Sequence, residues 1–180
     1  GSEMCIRDSG NTLQGTDFEL PFLLAVWLGL RTSEIRGLTW DCLDGDILTI
    51  KQAMVDGEDG PQLKQPKRTA ETENESAAVY YGLLDETPHT DEYIVHATRN
   101  VLYKHLQRAC ARCGVQPFRF HDLRHVNASV MLRLNVPDKY AMERMGHSTN
   151  NMLKNVYQHT MDDKAVAVAD AVDGFFESEF

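Results

Sequence analysis

The spacing of apolar residues changes twice along the chain, and this change restricts the fold more than any other feature. Phe18, Leu20, Phe22, Leu23, Leu24, Val26, Trp27 and Leu28 repeat at helical intervals, with Asp17 as a cap and Gly29 as a stop. A second helix follows through Glu34, Ile35 and Leu38, with Thr32 or Ser33 as its cap. From Asp44 the spacing shortens to that of strands. Ile47 to Ile50, continuing toward Val55, predicts one strand, 57–61 a turn, Gln62 to Lys67 its partner and Ala77 to Tyr81 a third. Beyond Thr90 helical spacing returns over Ala97–Cys113, His121–Leu134, Asp138–Met145, Asn150–Gln158 and Asp162–Asp173. A small three-stranded antiparallel sheet within a mainly helical chain defines an α+β fold.

At 180 residues and 42% hydrophobic composition, the chain has the material for one core and reads as a single domain. Residues 1–10 show no periodicity and read as an appended leader, which leaves 11–180 as the folded unit. The longest apolar run, Leu20 to Leu30, is interrupted by Pro21 and halted by Arg31, well short of the roughly 20 residues that span a bilayer. Four cysteines (Cys5, Cys42, Cys110, Cys113) have no dense framework spacing and predict reduced thiols. Cys110-x-x-Cys113 lacks the second half of a zinc site and reads as packing. Trp27, Trp40, Met131, Met142 and Met145 likewise read as core.

The formal charge of -9 argues at first against a nucleic-acid partner, but its distribution reverses the argument. Residues 91–160 hold ten Lys and Arg against five Asp and Glu, whereas 1–90 carry -9 and 161–180 carry -5. The basic stretch also holds the reactive motifs. His121-Asp122-Leu123-Arg124-His125 opens a predicted helix, and the three-residue interval places His121 and Arg124 on one face, within reach of one anion. An imidazole can pass a proton while a guanidinium holds two oxygens, a combination suited to a phosphodiester under attack. Met145-Gly146-His147-Ser148 and Asn155-Val156-Tyr157-Gln158-His159 follow in order, and Gly29-Leu30-Arg31-Thr32-Ser33-Glu34 precedes them. Arg31 stands just before a helix N-terminus, where the dipole adds to its own charge.

The order Arg31, Lys67, His121, Arg124, His147, Tyr157 resembles the active-site set of tyrosine recombinases, in particular the phage and transposon integrases, over roughly residues 17–160. The resemblance implies the recombinase catalytic fold without the family's N-terminal core-binding domain. It implies that Tyr157 attacks a phosphate to form a 3′-phosphotyrosyl bond, clamped by Arg31 and Arg124, while His147 donates a hydrogen bond and His121 takes the tyrosine proton. Lys67 would protonate the leaving 5′-oxygen, with Lys64 and Arg68 as rivals, because acidic residues Glu71 to Glu75 follow where the family usually continues with Thr, a small residue and Arg. Glu34 reads either as a first-turn carboxylate or, by the resemblance, as support for the arginine pair.

Double-stranded DNA is the implied partner, with a monomer in solution and a tetramer on paired sites, in a prokaryotic cytoplasm at the nucleoid. No cofactor or metal is implied, and His125 and His159 lack the companions of a metal motif. Two other readings stay open: a type IB topoisomerase-like relaxing enzyme, and a catalytically silent DNA-binding or regulatory relative. The tail from Asp173 to Phe180, three phenylalanines among acids, reads as a segment that docks on a neighbouring protomer.

Overall fold

The computed structural model describes residues 2–44, 47–65, 71–73 and 83–145. Its core is organised around α2 (Glu19–Trp27), whose ELPFLLAVW sequence is apolar on nearly every face and therefore has to be enclosed. Pro21 falls in the first turn, where a missing N–H costs no helical hydrogen bond. The predicted Asp17 cap is not used. Phe18 is the N-cap, and the Glu19 N–H donates to the Thr16 carbonyl at 3.0 Å. Leu24, Leu28, Leu30, Leu102, Leu106 and Leu123 are fully enclosed in the core around it, each favoured by about 2 kcal/mol over an exposed leucine. Trp27, expected in this core, is instead 44% exposed at the C-terminal end of α2. Trp40 is half-buried and stacks on His89 with ring centroids 3.4 Å apart.

Residues 2–13 form a helix, α1 (Ser2–Leu13), where the sequence shows no periodicity over 1–10. Ile6, Ser9 and Leu13 share one face, and the serine within this stripe conceals its amphipathicity from an apolar count. That face packs on α4 (Arg99–Cys113): Ser9 is fully buried beside the Cys110 sulfur, and Cys113 Sγ donates to the Asp8 carbonyl at 3.2 Å. The Cys110-x-x-Cys113 pair is thus helix-face packing, and Cys42, Cys110 and Cys113 are free thiols.

The strands depart from the predicted pattern. Instead of one strand over 47–55 there are two, β2 (Ile47–Thr49) and β3 (Ala53–Gly57), in different sheets. No Gly or Pro marks the break. It is made by side chains of the link, where Lys51 pairs with Asp41 at 2.9 Å and Gln52 Nε2 donates to the Gly37 carbonyl at 3.0 Å. β3 pairs with β4 (Gly60–Lys64) as an antiparallel hairpin around the predicted turn. The three-stranded sheet is β1 (Leu43–Asp44), β2 and β5 (Glu71–Glu73), with Leu48 opposite Thr72. β5 therefore falls within the acidic run, and the predicted third strand at 77–81 lies outside the described residues.

The remaining helices follow the predicted pattern closely. α4 is capped by the Thr98 hydroxyl and ends at Gly114, with φ 66°. α5 (Phe120–Arg133) and α6 (Asp138–Met145) build a second apolar cluster from Ala128, Met131, Ala141 and Met145. The helices predicted at 150–158 and 162–173 lie outside the described residues. Among those described, no helix is long and apolar enough to cross a membrane.

Candidate active site

α3 (Thr32–Arg36) begins at Arg31, which takes the N-cap position in place of the predicted Thr32 or Ser33. A guanidinium has no acceptor for the helix N–H groups, so only half of a capping box forms: Glu34 Oε2 accepts from the Arg31 N–H at 2.7 Å. Glu34 Oε1 accepts from Arg31 Nη1 at 2.8 Å. With only five residues in α3, the positive charge at this point is chiefly that of Arg31 itself.

Arg124 approaches the same carboxylate from α5. It is completely buried, and its Nη1 lies 3.8 Å from Glu34 Oε2 and donates to the Gly29 carbonyl. Its Nη2 donates to the Met145 carbonyl at 2.7 Å. A buried guanidinium calls for a counter-charge and acceptors: Glu34 supplies the charge, and the two carbonyls serve Nη1 and Nη2. Gly29 can turn its carbonyl toward Arg124 because its φ is 61° and a Cβ there would meet Met145 Sδ at 2.8 Å. Asn127, to which sequence reasoning assigned no function, fixes this turn from below: its Nδ2 donates to the carbonyls of Val26 and Trp27 at 2.8 and 2.7 Å.

Arg31 and Arg124 are both among the residues lining one pocket of about 730 Å³, with Arg36, Arg99, Arg119 and His121. Partial burial pushes the His121 imidazole below its usual pKa, and His125 and Arg124 push it the same way against an opposing contribution from Asp122. At neutral pH the ring is therefore uncharged and able to accept a proton. The His125 ring meets it edge-on at 5.1 Å. Arg119 is the N-cap of α5 and repeats the arrangement at α3. Asp122 Oδ2 accepts from its N–H at 2.8 Å, and Oδ1 from its Nη2 at 2.9 Å.

The structure thus brings together Arg31, Glu34, His121 and Arg124 of the predicted set. Lys64 ends β4 with an exposed side chain and does not line the pocket. Lys67, Arg68, His147, Tyr157 and His159 lie outside the described residues. Arg36, Arg99 and Arg119 were missed. For Arg119 a signal existed: Arg119-x-x-Asp122 has the spacing of Arg31-x-x-Glu34.

Comparison with known proteins agrees with this architecture. The family model described as the phage integrase family matches residues 16–164. An integrase from Saccharopolyspora erythraea is 44% identical over 63 residues, 35% of this chain and 14% of that protein. A XerC-like tyrosine recombinase from Caldanaerobacter subterraneus is 24% identical over 95% of this chain and 53% of its own length. The chain therefore spans about half or less of these curated relatives. Among solved structures, the Tn1549 transposon integrase in complex with transposon right end DNA superposes with a TM-score of 0.74 at 18% identity, over 93% of this chain and 64% of that one. A lambda integrase dimer bound to a COC′ core site gives 0.57 at 20% identity, over 84% and 45%. The helical fold with its small antiparallel sheets is that of these recombinase domains, and with five-sixths of its length matched by the family model, the chain belongs to the phage integrase family.

Proposed function

We propose that this chain carries out site-specific DNA recombination, cutting and rejoining strands through a 3′-phosphotyrosyl intermediate at Tyr157. The observation that carries the reading is the shared carboxylate of Glu34, which holds Arg31 and Arg124 side by side on a pocket that His121 also lines. Two fixed guanidinium groups suit the non-bridging oxygens of one phosphodiester, and each such donor is worth about 3 kcal/mol in the transition state.

Tyr157 is the nucleophile. A phenol of pKa about 10 is protonated at neutral pH, so attack needs a base, and neutral His121 is the group to take the proton. His147 donates a hydrogen bond to the attacked phosphate, and Lys67, with Lys64 and Arg68 as its rivals, protonates the leaving 5′-oxygen. The phosphotyrosyl ester conserves the energy of the broken bond, so rejoining to another strand needs no nucleotide cofactor. Double-stranded DNA is the partner, drawn by the arginines of the pocket through counterion release despite the acidic total charge. Assembly as a tetramer on paired sites belongs to the same reading.

A suicide substrate that traps the covalent step tests it. Wild type is expected to form a protein–DNA adduct that disappears in Tyr157→Phe. Persistence of the adduct in Tyr157→Phe, or its absence in wild type, refutes the assignment. Two-site exchange measured beside plasmid relaxation then separates recombination from topoisomerase activity.

A further inference from the structure

Among the described residues, Arg36 is the one buried cation on the pocket that the proposed chemistry does not use. It lies at the far end of α3 from Arg31 and is only 4% exposed. Its Nη2 is 2.9 Å from Asp56 Oδ1 on β3, while its Nε has no hydrogen-bond partner among the described residues. An ion pair between two exposed side chains contributes little, but here one member is buried, so the carboxylate is what makes its burial tolerable.

The pair ties α3 to β3, and a second tie joins the residues that flank them. At the other, Gln52 Nε2 donates to the Gly37 carbonyl, and Gly37 is so close to the strand that a Cβ there would come within 2.8 Å of the Gln52 carbonyl. β4 is held to β3 by continuous register, from Gly57 opposite Gly60 to Ala53 opposite Lys64. The helix that begins with Arg31 is thereby tied at its other end to the hairpin that ends in Lys64, three positions before Lys67.

We propose that Arg36 and Asp56 are positioning residues that hold the β3–β4 hairpin at a fixed offset from α3, so that its lysine reaches the 5′-oxygen of the phosphate held by Arg31. This rests on the recombinase reading above. In the step concerned, the bond from Tyr157 Oη to phosphorus forms and the bond from phosphorus to O5′ breaks. The tyrosine proton passes to His121 and the lysine proton to O5′. Arg36 and Asp56 act only through the lysine.

The experiment compares wild type, Asp56→Asn and Asp56→Glu on two suicide substrates, one ordinary and one with sulfur replacing the bridging 5′-oxygen. A thiolate leaves without protonation, so the sulfur substrate needs no acid. Asp56→Asn is expected to slow adduct formation on the oxygen substrate about ten- to a hundredfold, the scale of an ångström-sized misplacement. On the sulfur substrate it should react at the wild-type rate, which also establishes that the variant is folded, and Asp56→Glu should recover most of the oxygen rate. Equal loss on both substrates overturns the inference and makes the pair structural or part of the phosphate clamp. An unchanged or faster oxygen rate overturns it too, since Asp56 would then only compete with phosphate for Arg36. A wild type that forms no adduct on either substrate overturns the recombinase reading, and this inference with it.

Discussion

The N-termini of α3 and α5 are built alike and differ in depth. Each starts with an arginine whose own N–H and guanidinium are both held by a carboxylate three residues later. At α3 the carboxylate side chain of Glu34 is 2% exposed and Arg31 25%, whereas at α5 Asp122 is 33% exposed and Arg119 71%. Glu34 also has the enclosed Arg124 against it, at 3.8 Å. The same local motif therefore does different work. In a poorly screened interior it fixes a guanidinium in one place, while at the surface water screens it and leaves the arginine able to follow a ligand.

The largest expected effect tests depth directly. Glu34→Gln keeps the shape but leaves Arg124 buried without its counter-charge, and should cost about 3–5 kcal/mol of folding stability. Asp122→Asn should cost about 1 kcal/mol or less, as exposed pairs do. Urea denaturation midpoints of the two variants measure this, and equal losses would erase the distinction.

The next effect is on chemistry. Arg31→Ala removes a fixed donor aimed at the phosphate, so adduct formation at saturating DNA should fall about 10²- to 10³-fold. A drop of less than tenfold would move the clamp elsewhere in the pocket.

These contrasts also mark what was legible in the sequence. α6 was predicted at its observed limits, and α4 and α5 within two residues at each end, because caps, apolar spacing and glycine stops are local signals. Arg31, His121 and Arg124 were legible because helical spacing and helix starts put them on one side, and Glu34 because of its place in the first turn. The split between β2 and β3 was not, since it is made by Gln52 reaching the Gly37 carbonyl, fifteen residues away. Nor was β5, whose acidic residues have low strand propensity. α1 was hidden by a serine that is buried only because α4 lies against it. Arg36 carried no local signal either, since its partner Asp56 lies on a strand twenty residues away.

Arg119 should act through affinity. If it follows a DNA phosphate, Arg119→Ala reduces the slope of log affinity against log salt by about 0.9, the value of one contact on duplex DNA. Fluorescence anisotropy across a salt series reads this, and an unchanged slope would leave Arg119 as nothing more than the partner of Asp122.

The smallest effect is on pH dependence, where the two carboxylates should differ again. Cleavage should fall as pH drops through the His121 pKa, which lies below the usual 6.5 because burial, His125 and Arg124 all disfavour the imidazolium. Asp122 opposes them, so Asp122→Asn should move the acidic limb of the rate profile slightly lower; a shift upward would refute that influence. Stability follows the same signs. Because the His121 pKa is depressed in the folded chain, its contribution is whole above about 6.5 and is lost as pH falls from there to the folded value. For Asp122, burial alone would raise the pKa, but the hydrogen bonds from Arg119 more than offset it and hold it below 3.8. Its contribution is present above 3.8 and disappears as pH falls through the lower folded value, so Asp122→Asn should flatten acid unfolding chiefly below about pH 4. Acid titrations of wild type and Asp122→Asn that diverge near pH 6 instead would mean that Asp122 acts on stability through His121 and not through Arg119.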